Sequence, residues 1–497
     1  MDTTNQPPSR AAMLWTFVIT ALALFMVSLD NLVVTTALPV IRGDLGASIE
    51  DLEWTVNAYT LAFAVLLMTG AALGDRFGRR RIFSLGMGIF TLASALAALA
   101  PDVETLIAAR ALQGLGGALV MPLTLTLLSA AVPPERRGVA LGAWAGVGGL
   151  AIALGPLVGG AIVEGLQWQW IFWLNVPIGV ILAPLAARKL TESRGPDAAL
   201  DLPGVGLASA GLFGIVWALV RGNAQGWGSV EIVSSFIAGT VALVAFVVWE
   251  RRTPHPMLPM HHFRSRSYSA ANVAALLMFF GMFGAIFLLA QFFQVAQGFS
   301  PLESGLRILP WTVMPMFIAP IAGAYSDRIG GGPLMAAGLA LQALGLAWMA
   351  MVSTPDMPYS HIVGAFILSG IGMALFFAPS ANVVLGSVSA QEEGKAAGAN
   401  NAIREIGGVL GVAVLASVFA HQGGYENPER FVDGLVVATW VGAGVVGLGA
   451  LAASLIPRTV TRLAAAPTTT SLPTRSRNPL EISDTDVVEE LLIGAGR

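Results

Sequence analysis

The chain has 497 residues, 55% hydrophobic and only 11% charged, with a formal net charge of −3 and a mean hydropathy of +0.72. Soluble domains carry about 25% charged residues, so the composition excludes a water-surrounded core and specifies an all-α polytopic membrane protein. The absence of cysteine excludes disulfides, thiol catalysis and cysteine metal sites.

Met1 to Arg10 is polar, and the apolar run behind it is too long for a signal-peptide core, so the first span is expected to be retained. Apolar stretches predict fourteen spanning helices, at roughly 13–41, 52–73, 82–100, 104–131, 139–164, 168–188, 202–221, 229–250, 269–295, 304–325, 333–353, 359–387, 396–421 and 431–456. An even number puts both termini on one side. On that side fall 21 of the 27 basic residues; Arg42, Arg221, Arg307 and Arg430 fall on the other, and Arg110 and Arg404 within spans. The positive-inside rule then predicts cytoplasmic termini, in a multi-pass protein of the cell membrane. Lysine occurs only at Lys189 and Lys395 while arginine is abundant, which points to a high-GC bacterial genome.

Span 2 ends in GDRFGRRR (Gly74 to Arg81) and span 10 in SDRIGGG (Ser326 to Gly332). The echo predicts two six-helix halves with an inserted pair, a construction common in transporters, whose substrate sites lie between repeats near the midplane. The expected layout is a cytoplasmic N-terminus (1–12), a first half (13–188), the inserted spans 7 and 8 (189–250) and a cytoplasmic linker (251–268). A second half (269–456) and a Thr/Ser/Pro-rich, then acidic, disordered tail (457–497) complete it.

Asp30 interrupts span 1. An acid at a helix centre costs on the order of 2.5–3.5 kcal/mol on insertion scales, so it should face a cavity or a partner. Arg110 is the candidate: the two lie about 16 Å and 9 Å below the same surface, at 1.5 Å per residue. Either the acid carries protons and Arg110 tunes it, or the two form a structural pair. In the loop after span 2, Asp75 with Arg76, Gly78, Arg79 and Arg80 reads as a latch between cytoplasmic ends, or as a solvated turn. In span 5, Gly155, Pro156, Gly159 and Gly160 offer a smooth, bent face for close helix approach. Arg404 and Glu405 are adjacent in span 13 and point about 100° apart, so they need not pair with each other; Glu405 is a second coupling acid, a cation site or polar filler. Pocket candidates are Asn57 and Tyr59 in span 2, Gln113 in span 4, and Asn272, Gln291 and Gln294 in span 9. Phe376, Phe377 and Asn382 in span 12, and Asn400, Asn401 and Arg404 in span 13, complete the set. Each could equally be a helix–helix contact. The five histidines are scattered and no metal site is expected. No G-x-x-x-x-G-K-[ST] stretch is present, which excludes a self-contained ATP-driven pump.

These motifs carry a resemblance. GDRFGRRR resembles the loop signature of the major facilitator superfamily, and ALGPLVGG (Ala153 to Gly160) that of its proton-driven antiporters. RALQGLGGAL (Arg110 to Leu119), WQWIFWLNVPIG (Trp168 to Gly179) and LDNLVVTTALPVI resemble its fourteen-spanning drug:proton antiporter branch. The resemblance implies that fold and a non-enzymatic exporter of hydrophobic small molecules, run by the proton motive force with no cofactor. It implies a monomer whose partners are substrate, protons and lipids rather than nucleic acid. A dedicated exporter of one metabolite, a lipid transporter and a non-transporting receptor are the rival readings. The resemblance gives Gly155-Pro156 a seam role.

Overall fold

Helix follows helix from Arg10 to Ser454 in the computed structural model, which describes residues 10–195, 200–388 and 392–457. The tail beyond residue 457 and residues 1–9 of the expected N-terminal segment lie outside the described residues. In order come α1 (Arg10–Leu45), α2 (Ile49–Phe77), α3 (Arg79–Ala98), α4 (Val103–Ala131) and α5 (Pro134–Gly165). A short α6 (Trp170–Trp173) runs on into α7 (Asn175–Lys189), and α8 (Leu202–Gln225) and α9 (Val230–Glu250) follow. A 3₁₀ turn (Met260–Arg264) leads to α10 (Arg266–Gln291), which a π turn (Phe292–Ala296) extends. Then come α11 (Pro301–Ile329), α12 (Gly331–Val352), α13 (Tyr359–Leu385), α14 (Glu393–Gln422) and α15 (Pro428–Ser454).

Among the described residues, twelve helices are long and apolar enough to cross a membrane, α6 and α7 counting as one. Among the described residues, length and hydropathy thus mark twelve of the expected fourteen spans. The other two expected spans coincide with α5 and α11, 32 and 29 residues long. About 20 residues suffice to cross the hydrocarbon layer.

Packing repeats along the chain. In the first part α2 packs on α4, α3 on α4 and α7, and α1 on α5. In the second, α11 packs on α13, α12 on α13 and α15, and α10 on α14. These are the same neighbours nine helices later, with α15 standing where α6 and α7 stand as one span. The pair α8 and α9 packs together, and α8 rests on α2 and α14. Between the two repeats the contacts run mainly through α2–α14 and α5–α11.

The echoed loops are built alike. Gly78 alone separates α2 from α3 at φ 110°, and its N–H donates to Gly74 O at 2.9 Å. Gly330 alone separates α11 from α12 at φ 87°, donating to Ser326 O at 3.0 Å. Positive φ in a one-residue link demands glycine. At Gly78 a Cβ would also lie 2.8 Å from the Glu192 carboxylate. We predict that Gly78→Ala destabilises the chain by about 1–3 kcal/mol, seen as a lower Tm. An unchanged Tm would show the link to be strain-free.

The bundle has a basic end, carrying Arg79–Arg81 on the α2–α3 link, and a far end. The far end holds the α1–α2, α10–α11 and α14–α15 turns. Capping boxes start α2 (Ser48 with Asp51) and α11 (Ser300 with Glu303) there.

Candidate functional site

Asp30 sits mid-way along α1, 3% exposed, and Arg110 of α4 is completely buried. Arg110 Nη1 donates to Asp30 Oδ2 at 2.5 Å. The other carboxylate oxygen accepts from Asn175 Nδ2 of α7 at 2.7 Å and from Gln113 Nε2 at 3.2 Å. Gln113 Nε2 also donates to Ser94 Oγ of α3 at 2.7 Å, and Gln113 Oε1 accepts from Arg110 Nη1 at 3.0 Å. On its α2 side, Arg110 Nε donates to Thr55 O at 3.1 Å, and the guanidinium lies 4.3 Å from the centre of the Tyr59 ring. The Tyr59 hydroxyl donates to Val27 O at 3.3 Å. Five helices of the first half thus build one cage around one acid.

The arrangement defines the chemistry open to it. Asn175, Gln113 and Arg110 all donate to the Asp30 carboxyl, occupying acceptor sites on both of its oxygens. A proton on Oδ2 would compete with Arg110 for that oxygen. Arg110 Nη2, among the described residues, has no hydrogen-bond partner. Gln113, a pocket candidate by sequence, stands in this cage. Asn175 is absent from the sequence-based set. Its only signal is an amide closing the aromatic run WQWIFWLN, and nothing in that spacing points toward a residue 145 positions earlier.

At the basic end Asp75 pairs with Arg79 one turn on, at 2.8 Å. Arg80 and Arg81 face Glu192 instead, at 3.6 and 3.7 Å, and Glu192 also accepts from Arg80 N at 3.0 Å. Arg79 N donates to Ser193 O, and Gly195 N to Asp75 O. Arg76 stacks near Phe77. Among the described residues, these contacts tie the loop to the segment after α7 in its own half. The side chain of Asp327, in the echoed loop, lies outside the described set.

At the far end the two halves touch. A Cβ on Gly160 would lie 2.3 Å from Pro301 O, and one on Gly305 2.3 Å from Pro156 O, so α5 and α11 meet backbone to backbone. Gly155 and Gly159 turn instead toward Leu32 and Val33 of α1. Glu164 ends the seam by accepting from Ser300 Oγ at 2.5 Å and Leu302 N at 3.2 Å. Gln294 Nε2 donates to Thr36 O at 2.8 Å. Among the described residues, every hydrogen bond between the two halves lies at this end. Arg42 stacks on Tyr425 at 3.9 Å, and the Tyr425 hydroxyl donates to Gln291 Oε1. Burial pushes the Tyr425 hydroxyl up, while Arg42 pulls it down and Glu53 pushes it up. Glu53, 1% exposed with Oε2 unpartnered among the described residues, is another acid that sequence reading passes over. It lies one turn from the start of α2, where an acid reads as an interfacial residue.

The second half carries its own charges. Arg404 Nη2 donates to Ser380 Oγ at 3.3 Å, and its guanidinium lies 5.7 Å from both the Phe279 and Phe377 rings. Phe377 meets Phe279 edge-on at 5.8 Å and Phe376 at 6.4 Å. Glu405 Oε2 has no hydrogen-bond partner among the described residues. Asn400 donates to Asn272 at 2.9 Å, so these two satisfy one another. Asn57 is buried with its whole amide unpartnered among the described residues, and Asn382 and Asn401 are exposed. A cavity of about 370 Å³ between α8 and α14, lined by Asn223, Trp227 and Ser417, shares no residue with the cage and carries no part of the coupling argument.

Residues 20–412 and 271–482 match the family described as the Major Facilitator Superfamily. The chain is 36% identical over 421 residues to the tetracenomycin C resistance and export protein of Streptomyces glaucescens, covering 84% of this chain and 78% of that one. It is 35% identical over 409 residues to the multidrug resistance protein Stp of Mycobacterium tuberculosis, covering 82% and 76%. In fold it is similar to a bacterial homolog of the human lysosomal transporter Spinster, solved inward-facing and unoccupied. There the TM-score is 0.64 at 16% identity, over 90% of this chain and 97% of the other. The chain belongs to the major facilitator superfamily.

Proposed function

We propose that this superfamily member exports hydrophobic small molecules in exchange for protons, by alternating access. The observation that carries the reading is the cage around Asp30: one buried acid held by Arg110, Gln113 and Asn175. On this reading both termini and the basic end face the cytoplasm, as the basic-residue bias supports. The far end, closed by Glu164, Gln294 and the Gly160–Pro301 contact, faces outward. Alternating access breaks those contacts, hydrates the cage and lets a proton take Oδ2 from Arg110. Return to the closed form restores Arg110 and expels the proton inward. Substrate binds where the halves meet near the midplane, against Phe279, Phe377 and Arg404.

Cargo is inferred from the relatives, one of them named for a single antibiotic and another for multidrug resistance. The first supports a second reading, a dedicated exporter. Efflux from inverted vesicles tests both. Imposing a pH gradient, acid inside, should drive accumulation of hydrophobic dyes and antibiotics, abolished by a protonophore. Accumulation of one compound from a broad panel selects the dedicated reading. Gradient-independent uptake of all of them refutes coupling.

A further inference from the structure

The linker places two histidines against the start of α14. His261 and His262 lie on the 3₁₀ turn, and Glu392 is the residue before α14, 131 positions from His261. His261 Nε2 and Glu392 Oε1 are 3.0 Å apart, and one ligand atom from each of the three residues lies within 4.8 Å of the others. We propose that His261, His262 and Glu392 form a binding site for a divalent transition metal of the Zn²⁺ type.

The chemistry fits. Zinc takes His nitrogen at about 2.0–2.1 Å and carboxylate oxygen at about 2.0–2.2 Å, and two-His, one-carboxylate sets leave a fourth position for water. The His261–Glu392 separation is already short enough for one ion to bridge. The third ligand atom lies within 4.8 Å of the other two. An independent observation points the same way. His262 is 4% exposed, yet among the described residues its Nε2 has no hydrogen-bond partner. A buried ring nitrogen is seldom left so. Its ring is held in place by His261 at 4.2 Å and Tyr268 at 5.4 Å between centroids.

Sequence reading gives the opposite expectation, no metal site, because adjacent histidines in a linker offer two ligands and the third comes from the far side of α13. A bound ion would pin the linker to the first turn of α14, the helix that carries Arg404 and Glu405 and packs across the interface on α2.

The test uses the full chain without a histidine tag, in detergent. Co²⁺ is the spectroscopic probe, and Zn²⁺ affinity is measured by competition with a chromophoric chelator. One Zn²⁺ per chain is expected, with a Co²⁺ absorption spectrum of low-coordinate nitrogen and oxygen ligation. His262→Ala and Glu392→Gln should each weaken Zn²⁺ binding roughly tenfold or more, while His421→Ala, at the far end of α14, should not. Zn²⁺ should raise the Tm of the unaltered chain and of His421→Ala only. Absence of Zn²⁺ binding by the unaltered chain, an octahedral aquo-type Co²⁺ spectrum, or equal affinity in all variants would each overturn the site.

Discussion

Asp30→Asn abolishes pH-driven accumulation in inverted vesicles, leaving it at the level of protonophore-treated controls. Asparagine keeps the size and can still accept a hydrogen bond, but it cannot exchange a proton. The substitution also leaves Arg110 as a wholly buried charge without its counter-ion. Breaking a buried pair from one side costs about 3–5 kcal/mol, so lower stability is expected with the loss of transport. The double variant Asp30→Asn/Arg110→Gln separates the two effects. It removes both charges, so it should recover Tm relative to the single variant while remaining uncoupled. Recovery of pH-driven transport together with stability would mean that Asp30 serves packing only.

The second large effect lies at the far end. Gly160→Val puts methyl groups where Pro301 O already stands 2.3 Å from the position of a Cβ. Overpacking costs typically about 1–3 kcal/mol, and here the cost falls only on the conformation in which α5 and α11 touch. A bias of that size shifts a two-state population by about 5- to 150-fold. The chain has no cysteine, so Glu164→Cys with Ser300→Cys makes a unique thiol pair across the seam, where Glu164 Oε2 and Ser300 Oγ lie 2.5 Å apart. A short thiol crosslinker should join the pair readily in the otherwise unaltered chain and several-fold less in Gly160→Val, with efflux reduced in parallel. Gly146→Val is the control, because a Cβ there meets nothing within 4 Å. Equal crosslinking in all three would show that the seam does not move.

Much of this was legible in the sequence because the bilayer imposes its length on every span. The apolar runs mark the helices, and Asp-Arg-x-Gly recurs where Gly78 and Gly330 make identical one-residue links. Asp30 and Arg110 could be matched because depth along a helix is arithmetic. Azimuth is not. Which way Gln113 and Asn175 face depends on how α3, α4 and α7 pack, so the neutral half of the cage stayed hidden. Partner choice in loops was equally hidden. Asp75 read either as a latch or as a solvated turn; the structure pairs it with Arg79, and the neighbouring arginines face Glu192 after α7. Glycine-rich α5 showed close approach, but only the structure divides it into a face toward α1 (Gly155, Gly159) and one toward the other half (Pro156, Gly160).

The central claim, that export turns on a proton displacing Arg110 from Asp30, is tested most directly without any membrane gradient. Purified chain in weakly buffered detergent solution is mixed with a transported dye while a pH indicator follows free H⁺. Binding coupled to titration of one acid must change the protons bound, by linkage. The account predicts a pH-dependent proton release from the unaltered chain on dye binding, and none from Asp30→Asn that still binds the dye. The same release from both proteins would contradict it.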